Sequence, residues 1–276
     1  MNPHTNPKWR ALAREAASAA EHMAFGATVL GRANYAQYAY YTQAFFSLSI
    51  GFERSAKLAL VVDYSLDHAG AYPPAKTLKK EYGHDLQKLL SLAEEIAKRR
   101  QIKQTRPSST VHDAIMDTLS DFATNVTRYY NLELVIGSPQ AAIQDDPIAT
   151  WFERVTKPVL AHHYKDRYRE KHERSARFID DLISDFTLVR HQGEAGEEIT
   201  TVYDASTRTA ASEFAKRWER MYVLQIARFM AAVLSELGYV AQIQQLPDVP
   251  YLSEFFSIFG GDDAYFRSRK RWSIYP

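Results

Sequence analysis

Arg167 and His172 stand five positions apart in Arg167-Tyr168-Arg169-Glu170-Lys171-His172, and Arg106 and His112 stand six apart in Arg106-Pro107-Ser108-Ser109-Thr110-Val111-His112. An imidazole can take the proton of an attacking hydroxyl or return one to a leaving oxygen, and a guanidinium beside it can hold the charge that develops on a phosphate. The first pair has the richer surroundings: Lys165, Arg169, Lys171, Arg174 and Arg177 alternate with Tyr164 and Tyr168, a mixture suited to a phosphodiester backbone and its bases. Asp166, Glu170 and Glu173 are interleaved with them, so the plainer alternative is a solvated helix laced by i to i+4 ion pairs. Arg106 precedes a proline in a loop, and His112 opens the next helix.

A second basic run, Arg267-Ser268-Arg269-Lys270-Arg271-Trp272, combines cations with an indole. Arg269, Lys270 and Arg271 therefore join Arg169 and Lys171 as expected nucleic-acid contacts, against the alternative of a solvated chain end. Glu53, Arg54 and Lys57 interrupt the apolar run from Ala44 to Val62 and must find partners or water. His84, in Tyr82-Gly83-His84-Asp85-Leu86, is the expected partner of Glu53. It would serve there as a proton donor or, more simply, as a polar clip between helices.

Other chemistries lack their residues. Glu81 and His84 have the Glu-x-x-His spacing of helical di-iron proteins, but no second such motif occurs, and the adjacent His162 and His163 would point to different faces of a helix. No metal is expected. The chain has no cysteine, which removes thiolate catalysis and disulfides and favours a reducing, cytoplasmic setting. Gly260-Gly261-Asp262-Asp263 is followed by no Lys-Ser or Lys-Thr, so no nucleotide loop is expected, and no organic cofactor either.

The elements that must position these residues read as helices throughout. The 276 residues are 46% hydrophobic with a net charge of +1, enough for a substantial core and too balanced for a global field, so any nucleic-acid contact must be a local patch. Asn6-Pro7 opens an alanine-rich helix to Leu30. A second, nearly all-apolar helix follows from Asn34 to His68, stopped by Gly70 to Pro74; its three charges argue against a membrane span. A third is expected from Thr77 to Arg100 with Lys79 and Lys80 outward, and a fourth from Ser108 or Ser109 to Asn131 with Ile115, Leu119, Phe122 and Val126 on one face. Gly137 to Pro147 is the best boundary, dividing a helical region 1–137 from a second, 147–276, packed into one unit. Gly193 to Thr209 suits a short strand pair, Ala210 to Leu237 a core helix ending at Gly238, and the aromatic tail from Gln242 onward must pack on something. Met1 to Trp9 has no secretory pattern.

Gly51 to Lys57 followed by Gly83 to Leu90 resembles the first two helices of HEPN-superfamily domains, helical modules of prokaryotic defence and toxin systems, many of them ribonucleases. The resemblance covers Tyr38 to Leu132 in helix layout. It implies an all-α, multi-helix bundle, a homodimer, and a metal-independent endoribonuclease that uses an Arg followed after four to six residues by a His. Here Arg167 and His172 fit that spacing, although Tyr168 stands where the family usually has Asn, Asp or His. The alternative is a non-catalytic helical module that binds a partner protein, a nucleotide or nucleic acid.

Overall fold

Asn6 accepts hydrogen bonds from the main-chain N–H groups of Lys8 and Trp9, and Pro7 occupies the first helical position, so α1 (Pro7–Leu30) starts where the sequence places it. The computed structural model describes residues 6–77, 82–124, 127–139 and 145–274. The expectations for Lys79, Lys80, Glu81 and Val126, and part of the Gly137–Pro147 boundary, lie outside the described residues.

α1 packs along α2 (Ala39–Asp67) in antiparallel fashion, since Gly26 meets Leu48 while Gly51 meets Met23 and Ala19. The approach is close because the facing positions are small: Ala16, Ala19, Ala20, Ala24 and Ala27 are buried, and a Cβ at Gly51 would come 2.8 Å from the Met23 main-chain nitrogen. The chain leaves α2 through Gly70 at φ +87°, a left-handed position that glycine takes without steric cost, and into Pro73-Pro74.

The third helix does not run unbroken from Thr77. A single turn, α3 (Ala75–Thr77), is followed by α4 (Leu86–Arg99), because Gly83 turns left-handed at φ +64° and Asp85 then caps the Lys88 N–H. The expected inward residues Leu86, Leu89, Leu90, Ala93 and Ile96 are buried. Arg99 and Arg100 at the end of α4 clamp Asp63 and Asp67 of α2, the Arg100 contacts being 2.7 Å each. Ser109 caps α5 (Thr110–Ala123), which ends eight residues short of Asn131; α6 (Tyr130–Val135) is a separate turn and a half.

In the second half, Asp146 caps α7 (Pro147–Trp151), and the chain continues through a π-helical stretch, Phe152–Thr156, into α8 (Lys157–His163). The polar α9 (Asp166–Ile183) follows, burying only Ala176. The strand pair is shorter and earlier than expected: β1 (His191–Gln192) and β2 (Glu198–Ile199) pair antiparallel, His191 opposite Ile199. α10 (Val202–Ile243) begins at the Thr201 cap and runs 42 residues, about 63 Å. Gly238 is therefore no stop. It lies buried inside the helix, where a Cβ would meet the Leu252 main-chain nitrogen at 3.0 Å.

α10 is long and apolar enough to cross a membrane by length and composition, yet 61% of its apolar 18-residue window is buried inside the fold, as in the core helix of a soluble protein. α11 (Ser253–Phe256) and α12 (Asp263–Ser268) return the aromatic tail onto it, with Phe256, Phe259, Phe266 and Trp272 buried. The fold is all-α, and one hydrophobic cluster draws on residues from both sides of Gly137–Pro147.

Candidate phosphate-binding cavity

Arg167 and His172 share α9 but not a face of it, because five helical residues rotate a side chain by about 140°. The Arg167 guanidinium lies 4.7 Å from the Tyr168 ring centre and donates to the Tyr168 hydroxyl at 2.9 Å. His172 turns instead toward the body of the protein, where its Nδ1 shares a hydrogen bond of 2.6 Å with the Tyr164 hydroxyl. Arg169 pairs with Asp166 and Arg177 with Glu173, the i to i+3 and i to i+4 pairs of a solvated helix. Lys171 is exposed on the same helix.

The other sequence candidates are distributed as clips. Lys57 Nζ and His84 Nδ1 both meet Glu53 Oε1, at 2.8 and 2.9 Å, tying α2 to the turn before α4. His84 is largely exposed there. Arg106 donates to Gln87 at 2.9 Å and Ser91 at 3.2 Å and does not touch His112. His112 is buried, with Nδ1 on Ser109 and Nε2 on Gln225, each at 2.8 Å, and burial pulls its pKa down. Both ring nitrogens are occupied, Nδ1 by the α5 cap and Nε2 in tying α5 to α10.

His172 lines a cavity of about 690 Å³ between α1, α9, α10 and the C-terminal segment. Arg32 enters from the α1–α2 loop, Lys216, Arg217 and Arg220 from α10, and Arg267, Lys270 and Arg271 from the end of α12 and beyond. Seven cations face one carboxylate, Glu213, which holds Lys216 at 2.5 Å. Among the described residues no ion pair reaches the other six. The expected C-terminal patch thus divides: Lys270 and Arg271 face the cavity, while Arg269 spans the rings of Tyr265 and Trp272 and bonds the Tyr265 hydroxyl.

Aromatic rings lie against two of these cations. His163 stacks on Trp218 with ring centres 3.6 Å apart, Arg267 lies 4.6 Å from the Trp218 ring centre, and Arg217 4.3 Å from that of Phe214. Burial, with His162 and Arg267 adding to it, lowers the His163 pKa to about 4, so this stacked imidazole is neutral. His172 is also held below the ordinary histidine range, by burial first and then by the positive charges of Lys171 and Arg217. It is a neutral base at the wall of a cationic cavity.

α10 also carries a buried carboxylate that the sequence reading did not single out. Glu219 is 2% exposed and accepts a 2.6 Å hydrogen bond from Thr156, the last residue of the π-helical stretch. Burial drives its pKa up to about 7; the Thr156 bond opposes this, and the Glu194 charge adds to it. Glu194, itself buried in the β1–β2 turn, accepts from Arg208 at 2.6 Å and from the Tyr41 hydroxyl at 3.2 Å.

Lys216, Arg217, Glu219 and Arg220 did carry a signal. Charges inside an apolar helix demand partners, as they do at Glu53 to Lys57, and Lys-Arg-Trp-Glu-Arg interrupts α10 in the same way. Comparison with known proteins finds no family model, no curated protein and no solved structure that matches this chain.

Proposed function

We propose that this chain is a HEPN-like helical protein of a prokaryotic defence or toxin system, working in the cytoplasm, and that it binds the phosphate backbone of RNA in the basic cavity. The family assignment rests on the Gly51–Lys57 and Gly83–Leu90 segments. The binding assignment is carried by one observation: six cations lining a single cavity have no carboxylate partner among the described residues, in a chain whose net charge is only +1. Local charge of one sign in a concave, partly dehydrated site focuses the field on an anion.

Metal-independent RNA cleavage is the second reading, and the position of His172 favours it. Its neutral imidazole lines the cavity, and Arg217, on the same wall, is close enough to depress its pKa, so Arg217 takes the place in the Arg/His pair that the sequence spacing suggested for Arg167. In this step the 2′ oxygen attacks phosphorus, its proton passes to His172, the bond to the 5′ oxygen breaks, and that oxygen leaves with a proton from solvent. The products are a 2′,3′-cyclic phosphate and a 5′-hydroxyl.

Partner binding, including a homodimer, is supported by the apolar side chains left open at the end of α9 and beyond, Phe178, Leu182, Phe186 and Leu188, and light scattering reads it directly.

The test is incubation of the purified protein with labelled transfer RNA and single-stranded RNA, with and without EDTA, beside Lys270→Ala/Arg271→Ala, His172→Ala and Arg167→Ala. Binding that weakens in the double variant and falls with salt supports the first reading. EDTA-resistant cleavage lost in His172→Ala supports the second, and equal loss in Arg167→Ala would restore the α9 pair. Absence of both binding and cleavage overturns the proposal.

A further inference from the structure

The cations of the basic cavity are not equivalent. Arg220 is 4% exposed, yet its Nε and Nη2 reach only main-chain carbonyl oxygens, of Phe266 at 3.4 Å and Arg267 at 3.1 Å. No carboxylate pairs with it among the described residues, and burial alone lowers its pKa. Its Nη1 lies beside Gly31, so close that a Cβ there would come within 2.6 Å. Lys216, 6% exposed, shares its charge with the one carboxylate present. A guanidinium withdrawn from water without a counter-charge is a costly placement that a bound anion would relieve.

One wall of the cavity is a fastened segment. The segment carrying Lys270 and Arg271 is fastened to α1 by the Trp272 N–H, which donates to Thr28 Oγ1 at 2.8 Å. The volume of about 690 Å³ falls in the range of small-ligand sites and is large enough for a nucleotide.

We propose that the cavity receives a phosphate monoester, the terminal phosphate of an RNA end or of a free nucleotide, with Arg220 and Lys216 as its most buried contacts. For the RNA end this rests on the reading above. A monoester carries close to two negative charges at neutral pH and offers three oxygens, while an internal diester carries one charge and offers two, so the buried pair discriminates between them.

The experiment is fluorescence anisotropy with the full chain and one short single-stranded RNA made with a 5′-phosphate, a 3′-phosphate, or hydroxyls at both ends, with nucleoside monophosphate and inorganic phosphate as competitors. A phosphorylated end binds at least about ten-fold tighter than the hydroxyl-ended strand. Arg220→Met removes that advantage, so that phosphorylated and hydroxyl-ended strands bind alike. Where Arg220→Met melts early by circular dichroism, Gly31→Ala replaces it, displacing Arg220 with its charge intact and reducing the advantage several-fold. Equal binding of all three strands overturns the monoester assignment and leaves RNA binding standing. Binding of the free monophosphate without any strand keeps the monoester and overturns the RNA reading, and binding of nothing overturns both.

Discussion

Replacing Glu219 by glutamine tests the buried carboxylate without disturbing its shape. The folded protein holds Glu219 near pKa 7 against an ordinary value of 4.5, so between those values the native state keeps a proton that the unfolded chain has released. Stability from this group is fully present below about pH 4.5 and is lost as pH rises to about 7, by on the order of 3 kcal/mol at 1.36 kcal/mol per pKa unit. Glutamine can still accept the Thr156 hydrogen bond and has no charge to lose. Urea unfolding of both proteins across about pH 4.5 to 8.5 should give curves that nearly coincide at the acid end, with Glu219→Gln more stable by roughly 3 kcal/mol at the alkaline end. His112, His163 and His172 titrate in both proteins and cancel in the difference. A difference that does not change with pH would refute the argument, because it would mean that Glu219 carries its charge in the fold throughout.

Gly51→Ala forces a Cβ against the Met23 main-chain nitrogen at 2.8 Å and should cost about 1–3 kcal/mol by chemical denaturation, with the helical signal unchanged at low denaturant. His112→Ala removes two buried hydrogen bonds and leaves Gln225 Oε1 without its partner, a loss of about 2–4 kcal/mol in the same assay. Asp63→Ala strips the buried carboxylate from both Arg99 and Arg100 and should cost about 2–4 kcal/mol. Glu15→Ala at the half-exposed Arg54 pair should cost under about 1 kcal/mol, and equal effects would contradict the difference in burial.

Helix identity was readable wherever caps and periodicity agreed. Asn6-Pro7, Ser109 and Asp146-Pro147 start helices at those positions, and the inward residues of α4 are those that its apolar spacing selects. Boundaries failed where a local signal met a tertiary contact. Gly238 reads as an end, but the helix runs through it because Leu252 packs against the space that a side chain would fill. Thr77 to Arg100 reads as one helix, and a left-handed Gly83 divides it.

The sequence by itself determined an all-α chain, its caps, the aromatic tail that must pack, and the types of residue able to handle a phosphate, because these follow from interactions over a few neighbouring positions. It could not determine which of those residues meet. Arg167 and His172 are neighbours along the chain and point apart on one helix, whereas His172, Arg217, Arg32 and Arg271 come from distant segments and line one cavity. Only the packing of α9 and the C-terminal segment against α1 and α10 brought them together, and burial there made an unpartnered cation of Arg220 and a near-neutral acid of Glu219. Charge state in a fold depends on solvent exclusion and on partners remote in sequence, which no local pattern encodes.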